Sequence, residues 1–459
     1  MRKKNMKFVY LIIGLGSLLQ GYLTGVIAGV LPFMIKEFDL NTTIQGLVSS
    51  FIFFGGIIGA LSGANFSNHI GRKKAYIFFV VIVAVGALGV SSNSIELILF
   101  FRFVLGFGIG CLASLIPIYL AELAPSETRG TVVGLNGLCQ SLGFFCAYIV
   151  NYVLFSTGNW RLMNLLSFVV IVFLIISSFY IPESPQWLLS KGELKKAREI
   201  ALLIHNQEDT LDAPEKEAII KESEEDINNK QHQDKFEKWM LKPLLLSTFF
   251  VVLQKWSGSS SVLFYAPTML QKAGLHSKIA SLATVGIGFI LFLFNLIGVQ
   301  LVDRKGRKAL LIIGNILMAI VLLLLGILVK MPNVPGVLLV LLMYVFIGSF
   351  GLTWASVPWV IIGEFIPTAF KGKGSSIATG AAATGAAWLS DAVLAFIFPV
   401  MLPILKISNI FIVFAVLNFL SIFLIKKEFR EPKGKTQIQI DFENKKEWKD
   451  KHGHKLDTN

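Results

Sequence analysis

The sequence predicts an all-α polytopic membrane protein, with twelve transmembrane helices in two homologous six-helix halves. Three observations lead there. The 459 residues are 54% hydrophobic and only 15% charged, with a mean hydropathy of +0.67, too little polar surface to cover a soluble globule of this size. The charges concentrate in the first eight positions, a central block near 189–242 and the tail after 425, leaving long apolar runs between them. Loops of the first half also recur in the second. This excludes an ordinary soluble enzyme. A net charge of +13 could suit nucleic acid, but the basic residues flank apolar spans, where positive-inside bias accounts for them. No nucleic-acid partner is expected; the partners are the lipid bilayer and a small-molecule solute.

A helix needs about 20 apolar residues to cross the hydrocarbon core. Twelve segments meet that length: 8–33, 44–64, 74–92, 97–121, 132–155, 162–181, 243–268, 279–302, 309–330, 337–363, 374–400 and 407–425. The first follows Arg2, Lys3, Lys4 and Lys7 and is too long for a signal h-region, so it is expected to stay as span one. Span two carries Gly55, Gly56, Gly59 and Gly63, and span four Gly106, Gly108 and Gly110. Within apolar spans such small residues let helices approach and slide. With no soluble strand-turn-helix unit around them they are not phosphate loops. Cys111, Cys139 and Cys146 lie in apolar stretches without metal-ligand spacing and read as core residues.

An even number of spans places both termini on one side. The loops sharing that side carry Arg72, Lys73, Lys74, Arg129, Arg304, Lys305, Arg307, Lys308, Lys371 and Lys373, so that side is expected to be cytoplasmic. The chain divides into an N-terminal half (1–188), a cytoplasmic linker with short amphipathic helices (189–242), a C-terminal half (243–425) and a polar tail (426–459) expected to be disordered. In the linker, Leu194, Ile200 and Leu203 are the candidate apolar face.

The repeat is read directly. His69-Ile70-Gly71-Arg72-Lys73-Lys74 after span two returns as Arg304-Lys305-Gly306-Arg307-Lys308 after span eight. Ala121-Glu122-Leu123-Ala124-Pro125, followed by Arg129-Gly130, returns as Gly363-Glu364-Phe365-Ile366-Pro367, followed by Lys371-Gly372. Internal repeats around a midplane site are how secondary transporters are built.

These loops resemble those of the major facilitator superfamily, and further residues narrow the match to its sugar porter family. They are Gly21 to Ile27 in span one, Arg102 to Gly108 in span four, Pro182-Glu183-Ser184-Pro185-Gln186-Trp187-Leu188 after span six, Gln254-Lys255-Trp256-Ser257-Gly258 through Pro267 in span seven, Trp354 to Trp359 in span ten, and Glu431-Pro432-Lys433-Gly434 after span twelve. The resemblance covers nearly the whole chain. It implies the major facilitator fold and alternating-access transport of a monosaccharide or polyol across the cell membrane. It implies no enzymatic chemistry and no cofactor, in keeping with the lack of a nucleophile with a base or a metal cluster in the sequence.

Carboxylates at helix ends and guanidinium groups at the next helix starts can pair as a latch between the halves that breaks in the inward-facing state. That role is expected of Arg72, Glu122, Arg129, Glu183, Asp303, Arg307, Glu364 and Lys371, as the resemblance also implies. Asn68 and His69 stand where the family has Asp then Arg, and Gln186 replaces an Arg; these departures are expected to weaken the N-terminal network.

Sugar recognition needs groups that donate and accept in pairs, set against aromatic faces. By the resemblance, Gln254 matches the first of paired glutamines in span seven, Trp354 the span-ten tryptophan and Trp388 the span-eleven aromatic. Other positions depart: Lys255 stands for the second glutamine, Ser259 and Ser260 for Ile-Asn, Gly137 and Ala387 for glutamines, and Leu291 for an asparagine. Gln140, Asn136 and Asn295 lie within a turn of lost positions and either compensate or tie helices together. Lys255 lies 13 residues beyond Lys242, roughly 20 Å into the membrane, and Asp391 lies 18 beyond Lys373, roughly 27 Å. Intramembrane charges are costly and usually paired or facing a water-filled cavity. Lys255 and Asp391 are therefore expected to pair, either as a substrate-sensitive element or as a constitutive tie. Leu23 occupies the span-one position where proton-coupled relatives carry Asp, so a uniporter is expected, with coupling to protons through Asp391 as the alternative. Two further readings stay open: the same fold moving an amino acid or organic acid through Lys255 and Asp391, or a transport-inactive nutrient receptor. The solute, the direction of transport and the oligomeric state are not set by these residues.

Overall fold

The computed structural model describes residues 5–125, 128–204, 238–365, 375–431 and 437–452. Nine stretches of helix among them are long and apolar enough to cross a membrane. Three further spans complete the twelve. Arg72–Gly89 is span three, with Arg72, Lys73 and Lys74 in its first turn. Span seven is two short helices, Leu241–Trp256 and Ser259–Lys272. The long helix Ser375–Glu428 bends at Lys406, whose φ of 59° interrupts it, giving span eleven (375–405) and span twelve (407–428). The other spans are one (6–38), two (Thr42–Ile70), four (Ile95–Leu123), five (Arg129–Val153), six (160–178), eight (Ser277–Lys305), nine (Arg307–Leu328) and ten (336–365). Lipid-facing side chains such as Ile58, Val169, Ile320 and Phe423 are exposed, while one continuous apolar core runs through both halves.

Small residues set how closely the helices approach. A Cβ on Gly21 would fall 1.9 Å from the backbone oxygen of Gln140, so spans one and five touch backbone to backbone. A Cβ on Gly56 would meet the Trp388 ring at 2.0 Å, so span two of the first half closes on span eleven of the second.

Two spans are discontinuous. Span seven breaks at Ser257 and Gly258, where Gly258 takes φ 97°, a left-handed conformation open to glycine. Span ten breaks at Thr353 to Ser356. Carbonyls freed by such breaks need partners where water is scarce. Asn418 of span twelve donates to the carbonyl of Ser257 at 2.8 Å, and Gln254 donates to those of Trp354 and Ala355.

Helix Pro185–Ser190 straddles the start of the linker and Leu194–Ile204 follows within it. Ala197 and Ile200 are buried and Leu194 is exposed; residues 205–237 lie outside the described part. One expectation is corrected. The tail is not wholly irregular: Gln437–His452 is a helix, held where Lys242 pairs with Glu447 at 2.8 Å and Arg430 with the same carboxylate at 3.4 Å. Its polar composition hid an order that depends on charges supplied by span seven and the end of span twelve.

Candidate functional site

The repeated loops fold into the same device in each half. Gly71 (φ 97°) and Gly306 (φ 87°) take left-handed turns that bring the first amides of spans three and nine against a carboxylate. In the first half Glu183 Oε1 accepts from the N–H groups of Arg72 (2.8 Å), Lys73 (3.1 Å) and Ser184 (2.9 Å). In the second half Glu431 accepts from Arg307 N (3.0 Å) and Lys308 N (2.7 Å). A negative charge at a helix N-terminus meets both free N–H groups and the positive end of the dipole. Burial nonetheless holds the Glu183 carboxyl above the usual carboxylate range, against the opposing pull of these hydrogen bonds. Glu431 was not among the expected network residues. Its signal was available in the sequence, since Glu183 after span six and Glu431 after span twelve hold corresponding places in the repeat.

The buried Arg72 side chain grips Glu122 through two nitrogens, both at 3.0 Å, and donates to Ser67 Oγ and Asn68 Oδ1, each at 2.6 Å. Asn68 therefore keeps a hydrogen bond to Arg72, to a neutral amide oxygen in place of a carboxylate. His69 turns back onto the Asn65 carbonyl at 3.0 Å. Each of these ties lies within one half. The side chains of Arg129, Asp303 and Glu364, and all of Lys371, lie outside the described part. Among the described residues no ion pair joins the halves at the termini-bearing end.

The halves do meet deeper in the bundle. Tyr148 of span five donates to the Leu263 carbonyl of span seven at 2.5 Å, and Phe53 of span two lies 5.0 Å from Phe264 and 5.7 Å from Trp388 between ring centres. Asn295 of span eight donates to Gly137 O (3.2 Å) and Ser141 Oγ (3.3 Å) of span five.

The expected solute-contacting residues hold unequal roles, with Gln254, Lys255, Ser260 and Trp354 at or beside the two helix breaks. Gln254 is buried and its amide nitrogen holds the span-ten break, leaving Oε1 buried without a partner. Trp354, at that break, is 1% exposed and its indole N–H is unpartnered. Asn295 lies against Gly351, three residues before Trp354, and its Oδ1 is unpartnered too. Trp388 is a buried wedge between Gly56 and Phe53. Gln140 is half-buried on span five. Of the compensating candidates, Asn136 and Asn295 tie helices, Asn136 by accepting from Ser17 at 2.5 Å.

Lys255 and Asp391 pair directly, Nζ to Oδ2 at 2.8 Å, with side chains 21% and 8% exposed. Ser260 donates to the other carboxylate oxygen at 2.6 Å. Ser260 sits in the first turn of Ser259–Lys272, so the carboxylate also faces the positive end of a half-helix.

A family model described as "Sugar (and other) transporter" matches residues 9–443. The chain belongs to this family. It is 33% identical over 456 residues to the D-xylose transporter of Levilactobacillus brevis, covering 96% of each chain. It is 30% identical over 446 residues to the glucose transporter GlcP of Staphylococcus epidermidis, covering 96% of this chain and 98% of the relative. Among solved structures, the inward-open conformation of the E. coli xylose transporter XylE matches with a TM-score of 0.80 at 25% identity, over 95% of this chain and 99% of that one. XylE bound to 6-bromo-6-deoxy-D-glucose matches with a TM-score of 0.76, also at 25% identity. The fold is thus the major facilitator fold, and this family member is a multi-pass membrane transporter rather than an enzyme.

Proposed function

We propose that this transporter moves a monosaccharide or polyol across the cell membrane by alternating access, as a uniporter with both termini cytoplasmic. The observation that carries the solute is the set of buried, unpartnered polar atoms around the span-ten break: acceptors on Gln254 and Asn295, a donor on Trp354 and the hydroxyl of Ser356. A hydroxylated ring supplies donors and acceptors together and suits such a mixed set. The similar chains named as xylose and glucose transporters support the same solute class. Gln254, Lys255, Ser260, Trp354, Trp388, Asp391 and Gln140 form the solute site in this reading.

Uniport is supported by Leu23, a buried side chain that cannot carry a proton. Purified protein in liposomes loaded with a pH-sensitive dye tests both parts. Saturable hexose or pentose uptake without internal pH change is expected. Uptake accompanied by acidification of the lumen would overturn uniport, and no uptake of any sugar would overturn the solute class.

A further inference from the structure

Lys255 is a donor at a place where a sugar is read by hydrogen bonds, and an ammonium can only donate. Asp391 takes one of its three protons; among the described residues no other group accepts from it. The lysine side chain is also the more exposed of the pair, 21% against 8%. Asp391 is satisfied independently by the Ser260 hydroxyl and by the positive end of the Ser259–Lys272 helix. Its Oδ1 is thus met separately from the Oδ2 that Lys255 holds, and the ammonium keeps two further protons for an anion. A solute hydroxyl would accept a neutral-acceptor hydrogen bond from Lys255; a solute carboxylate would accept a charge-assisted one, roughly twice as strong.

We propose, resting on the sugar-carrier reading above, that the solute is a sugar acid: a monosaccharide whose carboxylate is gripped by Lys255 while its hydroxyls meet Gln254 Oε1 and Trp354 Nε1. Asp391 is a positioning residue that fixes the lysine. Neutral sugars would enter the same site and bind less well.

The test is ligand-induced thermal stabilisation of the purified full-length protein, since a ligand that binds the folded state raises its apparent stability. The probes are D-glucuronate, D-glucose and acetate, on the native chain and on the double variant Lys255→Gln/Asp391→Asn, which removes both charges and leaves neither buried alone. The expected result is stronger stabilisation by D-glucuronate than by D-glucose. In the double variant that preference should fall at least about tenfold, the loss of one charge-assisted hydrogen bond. Stabilisation by D-glucose without D-glucuronate would overturn this inference and leave the sugar reading standing. A response to neither sugar would overturn both. A D-glucuronate preference that survives in the double variant would place the carboxylate elsewhere, and acetate acting as strongly as D-glucuronate would mean that the ring is not read.

Discussion

Lys255 and Asp391 stabilise each other in surroundings where neither charge is tolerated alone, so removing one partner is worse than removing both. Lys255→Ala should lower stability by about 2 kcal/mol, less than the 3–5 kcal/mol of a fully buried pair because the lysine is partly exposed. Asp391→Ala added to it should restore part of the loss, and thermal unfolding in detergent across the double-mutant cycle measures the coupling. Asn418 is a second single-residue tie. Asn418→Leu leaves the carbonyl at the span-seven break unmet, and a loss of about 1–3 kcal/mol is expected in the same assay. The pairing of Lys255 with Asp391 was legible in the sequence, because the cost of burying charge demands a partner. The donation from Ser260 and the use of the Gln254 amide to hold span ten were not legible, because they depend on where two broken helices come to rest.

The Gly-Arg turn capped by a glutamate is the element the chain uses twice. Glu183 carries a pH signature because burial raises its folded carboxyl above the ordinary 4.5. The sign follows from linkage: protonation is easier in the folded than in the unfolded chain, so the stability this group contributes is full below about 4.5 and is lost as pH rises through the folded value. Glu183→Gln, which keeps an oxygen for the three amides, should therefore flatten the dependence of melting temperature on pH between that range and neutrality. A profile identical to the native one would show that the glutamate does not titrate there. Gly71→Ala should destabilise the same turn twice over, by strain at φ 97° and by a Cβ only 2.5 Å from Glu183 Oε2. The repeat made Gly71 and Gly306 visible as equivalent before any coordinates. Glu431 was missed because its match to Glu183 is in place rather than in neighbouring residues.

Across the whole molecule, the proposed alternating-access cycle rocks one half against the other and opens and closes the face where span two meets span eleven. Gly56 lets the Trp388 ring seat there. Gly56→Leu should leave each half folded but hold that face apart, abolishing sugar uptake into liposomes while the protein stays monodisperse in detergent. Native-like uptake would mean that the seam tolerates the larger residue. Hydropathy, charge placement and the internal repeat determined the twelve spans and the two halves, since crossing a bilayer forces about 20 apolar residues into a helix wherever they occur, and the resemblance of the loop motifs implied the transporter class. The order of the tail helix, the tie between the two broken spans and the groups left unpartnered for a solute were decided only by tertiary structure. Each of these depends on side chains more than 50 residues apart in sequence meeting in one place, and no local pattern of residues encodes such a meeting.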